Sequence, residues 1–145
     1  MKMENNAMIS LKSTQVGAGE GKPNQIELQT RGRFAERNGK FYIIYEETEL
    51  TGFEDTTTTI KVSPDSVSMT RNGKYSSKMV FRKGEKKLCS YNTPFGAIPV
   101  RINPILLDYR LGSDGGDVKI DYLIDMDNQD YWKNSLELTV TRIAD

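Results

Sequence analysis

Histidine is absent from this 145-residue sequence, and that absence excludes more chemistry than any other feature of the composition. Ser-His-Asp and Cys-His nucleophile activation, histidine general bases, and zinc or iron sites built on imidazole are all closed to it. An enzyme made from these residues would have to run on carboxylates, lysine or tyrosine. Cysteine is represented once, by Cys89. No disulfide can form within the chain, which suits a reducing compartment and sets aside a stapled, secreted scaffold. Within Lys87-Leu88-Cys89-Ser90-Tyr91 the thiol reads as a small apolar strand residue with nothing to activate it. Long hydrophobic runs are missing too, since no stretch approaches the roughly 20 apolar residues of a membrane helix. The early patch Ala7-Met8-Ile9 is too short for a signal-peptide core, so the expectation is a cytoplasmic protein, with no membrane association and with residues 1–6 flexible. Neither sign of charge is in excess. Twenty basic against twenty acidic side chains leave no overall field to draw in nucleic acid or an anionic membrane.

What the chain does contain is period-two hydrophobic alternation, cut again and again by turn residues. Val118-Lys119-Ile120-Asp121-Tyr122 and Leu136-Glu137-Leu138-Thr139-Val140 each put apolar side chains on one face of an extended segment. Asn38-Gly39, Pro64-Asp65, Asn72-Gly73 and Asp114-Gly115-Gly116 stand between such stretches and predict reversals. From Gln25 to Glu36 the apolar face is Ile26, Leu28, Thr30, Gly32 and Phe34. Phe41-Tyr42-Ile43-Ile44-Tyr45 is apolar on both faces and predicts a strand covered on both sides, or one crossing between the core and a capping segment. Thr56-Thr57-Thr58-Thr59-Ile60-Lys61-Val62 has the β-branched content that suits a pleated surface. Candidate strands at Ala97 to Ile102 and Leu106 to Leu111 are separated by Asn103-Pro104. Beyond these, a turn of helix could form around Asn128 to Trp132 or Pro104 to Leu107.

The pattern predicts an all-β protein of about ten strands with at most short helical turns. A single flat sheet of that size would expose its edges, so one domain spanning residues 1–145 is expected to close into a single antiparallel barrel or to form a strongly coiled sandwich, and the barrel is the arrangement adopted. The sizes of the inward-facing residues then decide whether the middle is filled or left as a small-molecule cavity.

Tyr45-Glu46-Glu47, Thr57-Thr58-Thr59-Ile60, Arg71-Asn72-Gly73, the turn Tyr91-Asn92-Thr93-Pro94-Phe95-Gly96, and the pair around Ile120-Asp121-Tyr122 and Leu136-Glu137-Leu138 follow one another in an order and spacing that resemble the YwiB-like proteins of Firmicutes. The resemblance runs from about Lys40 to Ile143. It implies a calycin, lipocalin-like β-barrel and a cytoplasmic bacterial origin, and it supplies no activity.

The remaining motifs have plain structural readings. Gly17-Ala18-Gly19-Glu20-Gly21-Lys22 resembles a phosphate-binding loop, but its glycine spacing is wrong, Pro23 replaces the required hydroxyl residue, and a strand follows instead of a helix. Asp125-Met126-Asp127-Asn128-Gln129-Asp130 begins like a calcium loop, yet lacks the sixth-position glycine and has Leu136 where a bidentate glutamate belongs. Arg31-Gly32-Arg33 and the basic hairpin Arg82 to Lys87 could touch phosphates, with Phe34, Phe41 and Tyr42 as stacking surfaces. The neutral net charge weighs against nucleic acid. Glu46, Glu47, Glu49 and Asp55 could host carboxylate chemistry, although of the first three only Glu47 and Glu49 share a face with Tyr45. Trp132 is expected to plug one barrel end.

These observations lead to a non-enzymatic binding module for a small hydrophobic or amphipathic ligand, with Tyr45, Glu47, Arg71, Tyr91 and Tyr122 as the ligand-binding polar groups. No catalytic set, metal site or cofactor is assigned. A protein- or RNA-interaction module using the outer surface is the first alternative, and a carboxylate-dependent hydrolase the second.

Overall fold

The structure is a computed structural model that describes residues 5–17, 24–48, 54–74, 76–93, 96–125 and 131–143, with the backbone alone for 89–93, 96–98 and 131. Ten strands occur: β1 (Ala7–Gly17), β2 (Asn24–Arg37), β3 (Lys40–Glu46), β4 (Thr56–Ser63), β5 (Ser66–Gly73), β6 (Ser77–Phe81), β7 (Lys87–Thr93), β8 (Gly96–Gly112), β9 (Gly115–Asp125) and β10 (Tyr131–Arg142). All pair antiparallel in the order β6-β5-β4-β3-β2-β1-β10-β9-β8-β7. The first and last strands of the chain lie side by side, and the two strands at the ends of the order, β6 and β7, come close to each other. The sheet is therefore a nearly closed barrel, as expected for a calycin-like fold. No helix occurs among the described residues, so none is long and apolar enough to cross a membrane.

Two corners give the barrel its curvature. The half of β2 up to Gly32 pairs with β1, and the half from Arg33 pairs with β3. A Cβ on Gly32 would collide with the Ile44 carbonyl oxygen and the Ile9 Cδ1 atom, so only glycine lets the strands approach this closely where the sheet folds over. The second corner is in β8, where the register with β9 shifts between Pro104 and Leu106. Proline has no N–H for the ladder, and the bulge at Ile105 absorbs the irregularity. The two separate strands expected at 97–102 and 106–111 are consequently one bent strand, because both halves stay paired with β9. The helical turn expected around 104–107 is this bulge. The other, around 128–132, lies largely outside the described residues, and its last two belong to β10.

Asn6 secures the first corner. Its side-chain Nδ2 donates to the Phe34 carbonyl at 3.0 Å, and its Oδ1 accepts from the Phe34 N–H at 2.8 Å. The carboxamide thus stands in for a strand residue just where β2 has left β1. Of the residues expected to be flexible, 1–4 lie outside the described set. Asn6→Ala removes both partners of Phe34 and is expected to cost about 1–3 kcal/mol in urea unfolding, with an unchanged denaturant slope.

The inward faces form one continuous core. Phe34 stacks on Phe41 with centroids 5.9 Å apart and planes 8° from parallel. The double-sided burial expected for β3 is corrected by the structure: Phe41, Ile43 and Tyr45 are buried, whereas Tyr42 and Ile44 are half-buried on the outer face. The Lys61 ammonium lies 5.9 Å from the Tyr42 ring centroid and supplies the outer covering.

The ends of the barrel differ. At one end the strands are joined by tight hairpins, including Asn38-Gly39, where φ values of 55° and 75° match the primed turn expected there, and Pro64-Asp65. At the other end β1, β3, β5, β7 and β9 finish and β2, β4, β6, β8 and β10 begin, and this second set of connecting sequences is for the most part longer. The strand ends leading to that second set carry the polar residues described next.

Candidate binding cavity

A cavity of about 220 Å³ occupies the barrel interior toward the end with the longer connections. Its floor is apolar, made by Leu11, Ile26, Met69, Met79, Ile124 and Leu136. Met69 and Met79 face each other directly across β5 and β6. Toward the hairpin end the interior is filled by side chains such as Phe34, Phe81, Ile43 and Val140, each no more than 1% exposed.

One polar wall comes from β3, β4 and β5. Tyr45, Thr58 and Arg71 are directly opposite one another on these three neighbouring strands, and Glu47 follows two residues after Tyr45 on the same face. Thr58 and Glu47 are both buried. The Thr58 hydroxyl donates to Glu47 Oε1 at 3.0 Å, and the Tyr45 hydroxyl also hydrogen-bonds the Glu47 carboxylate. A buried carboxylate held in this way has its charge solvated by donors instead of water. Arg71 lines the same space, with its Nε and Nη1 shielded from solvent.

Burial pushes the Tyr45 phenol far above its ordinary range. The negative charge of Glu47 adds to the effect and the positive charge of Arg71 opposes it. Unfolded, the phenol titrates near 10.0. The unfolded state therefore releases its proton first as pH rises, so stability present in full below that pH is lost above it. This group alone contributes up to about 1.4 kcal/mol per pH unit. In urea titrations between about pH 9 and 11, Tyr45→Phe is expected to flatten the fall in stability by that amount.

The opposite wall is a row of amides. Asn24, Gln15, Asn134 and Tyr122 are register partners in sequence across β2, β1, β10 and β9. Asn134 is buried and its Nδ2 donates to the Trp132 carbonyl at 3.1 Å. Among the described residues, no side chain hydrogen-bonds those of Gln15 or Asn24. The Tyr122 ring tilts against Phe81 with centroids 4.8 Å apart, joining this wall to the filled half of the core.

Of the five residues read from the sequence as polar binding groups, Tyr45, Glu47, Arg71 and Tyr122 line this one cavity. Tyr91 is in β7 opposite Ile98, and its side chain lies outside the described residues. Sequence reading missed Asn24, Gln15, Thr58 and Asn134. The signal was available in the alternation: Ile9-Leu11-Ser13-Gln15 and Val140-Leu138-Leu136-Asn134 are apolar faces that turn polar toward one end. Asn24 and Asn134 were overlooked because the strands extend further than their apolar patterning, to Asn24 and Tyr131.

The other motifs fall elsewhere. Phe34 and Phe41 are packed inside the core, so they offer no stacking platform, while Arg31 and Arg33 are on the outer face of β2. Among the described lining residues Glu47 is the single carboxylate; Glu46 is exposed on the outer face, and Glu49 lies outside the described residues. The glycine-rich segment 18–22 and residues 126–130 of the calcium-like segment also lie outside, as do Pro94 and Phe95. No group of three or more His, Cys, Asp or Glu residues suited to a metal ion occurs among the described residues. Trp132 is half-buried against the core near the cavity end, on the inward face of β10.

Comparison with known proteins agrees with the resemblance drawn from the sequence. The pattern of the domain of unknown function DUF1934 matches residues 9–138. The chain belongs to the DUF1934 family. The crystal structure of the ywiB protein from Bacillus subtilis superposes with a TM-score of 0.77 at 21% sequence identity, covering 98% of this chain and 96% of that one. At that identity the likeness establishes a shared fold. No curated protein matches the sequence.

Proposed function

We propose that this DUF1934 protein is a non-enzymatic binding module that takes a small amphipathic molecule into one end of its barrel. The observation that carries the reading is the composition of the cavity, an apolar floor beneath two polar walls that include Glu47 and Arg71. Binding sites for small molecules combine predominantly apolar linings with a few converging polar groups. Size sets the scale of the ligand. A hole of about 150 Å³ accepts benzene, and drug-sized pockets begin near about 300 Å³, so 220 Å³ suits a molecule slightly larger than one aromatic ring. The proposal includes the bacterial cytoplasm as the setting, supported by the single cysteine, which leaves no disulfide within the chain.

Native mass spectrometry of freshly purified protein tests the proposal, together with titration of a panel of small amino acids, acids, amines and alcohols. Wild-type protein is expected to carry or bind a small molecule that Ile26→Trp, which projects bulk into the cavity, does not. A bare wild-type protein that binds nothing in the panel contradicts the proposal.

A further inference from the structure

The neutral total of the chain hides a segregation of its charges. On the outer face of β1 and β8–β10 opposite charges alternate in register: Lys12 lies between Glu27 and Glu137, and Arg110 lies opposite Asp117. The Lys119 ammonium reaches Glu137 at 3.7 Å. The outer face running from the second half of β2 to β6 is different. Arg33, Ile44, Thr59, Thr70 and Lys78 form one row of register partners across the strands, with a cation at each end. The next row carries Lys61, and Arg37 and Lys40 are partners near the hairpin end. Among the described residues, none of these five cations forms an ion pair. The carboxylates nearby are otherwise placed. Asp65 and Glu85 pair with Arg82, Glu36 falls on the opposite side of β2, and Glu46 stands at the margin toward the cavity end.

We infer that this face binds single-stranded RNA through its phosphate backbone. Cations spread over a convex surface suit a flexible polyanion whose charges repeat along its length. The row from Arg33 to Lys78 spans four strand spacings, about 19 Å along the sheet. The serine and threonine hydroxyls between the cations can donate to phosphate oxygens or pair with the ribose 2′-hydroxyl. Reading a duplex requires an element that enters a groove, and this face of the sheet offers none. Tyr42 is half-buried with the Lys61 ammonium over its ring, so bases gain no stacking platform and binding is independent of sequence. The exposed large hydrophobic side chains Met8, Leu88, Ile105 and Leu106 are on β1, β7 and β8, which leaves this face without a group to insert into a bilayer.

Fluorescence anisotropy of a labelled oligouridylate of about 12 nucleotides tests the inference. With about four of the cations on phosphates, affinity is expected to fall about 50-fold between about 50 and 200 mM salt. The double variant Arg33→Gln with Lys61→Gln is expected to lose about tenfold or more at the lower salt and to flatten the salt dependence. Lys12→Gln with Lys119→Gln changes the net charge equally on the charge-balanced face and is expected to leave binding unchanged. Circular dichroism checks that both are folded. The inference is overturned if the oligonucleotide does not bind at the lower salt, if both double variants lose affinity equally, or if phosphatidylglycerol vesicles or poly-L-glutamate bind as tightly as the RNA. None of these outcomes bears on the cavity, which lies on the inner side of the same strands.

Discussion

Replacing Phe81 by alanine is expected to remove about 3–5 kcal/mol of stability and to lower the melting temperature by about 10 °C for a domain of this size. The ring is fully buried on β6 and rests against Tyr122 of β9. β6 has one strand partner, β5, so its grip on the rest of the barrel depends on inward packing of this kind. Truncation leaves a hole that β-barrel backbone cannot collapse to fill, which adds a cavity cost to the lost transfer energy. Urea unfolding monitored by fluorescence gives the value. A loss under about 1 kcal/mol would mean that the interior relaxes freely and that Tyr122 is not held in the position described.

The second large effect is expected at the corner of β2. Gly32→Val puts a branched side chain where a single Cβ already collides with the Ile44 carbonyl and lies 3.3 Å from Tyr45 Cβ. One obstacle is backbone, which cannot rotate away, so β2 and β3 must separate or β1 must shift. About 3 kcal/mol or more is expected, at the upper end for overpacking. Tyr45 belongs to the polar wall, so the displacement also spreads to the cavity. Gly32→Ala is expected to fall between the two in thermal denaturation. If the valine variant melts with the wild type, the sharp fold of the sheet at this point is wrong.

The β2 corner also shows what can be read before the structure. Alternation alone puts Gly32 and Phe34 on the apolar face of their strand, and both are buried there. Alternation could not say that β2 changes partners between Gly32 and Arg33, because that depends on how closely β3 approaches, a long-range contact with no local pattern. Pro104 is a similar case. As a residue without an N–H it signals a break in a ladder, and both a turn and a bulge satisfy that requirement. The choice was made by β9, which pairs with both sides of it. The apolar run at Phe41 to Tyr45 misleads because Tyr42 and Ile44 are half-buried on the outer face, Tyr42 with the Lys61 ammonium over its ring, a covering that hydrophobicity does not record.

The candidate site was partly readable for the same reason. Tyr45, Glu47, Arg71 and Tyr122 interrupt apolar faces, and a polar residue there must find partners. That the four meet in one cavity follows from strand order, which brings β3, β5 and β9 around the same end of the barrel. The amide row is a product of register. Nothing local connects Asn24, Gln15 and Asn134 until three strands pair.

The proposed function requires that the interior at the end with the longer connections receive a small molecule between an apolar floor and polar walls. Methyl NMR of protein labelled at the methionine ε-methyl groups tests it most directly, because Met69 and Met79 are in the floor and Met8 is exposed on the outer surface. On titration with the amphipath panel, the Met69 and Met79 resonances are expected to shift together and saturably for at least one compound, with Met8 unmoved. Saturable shifts confined to Met8, or none at any methionine across the panel, would contradict the account.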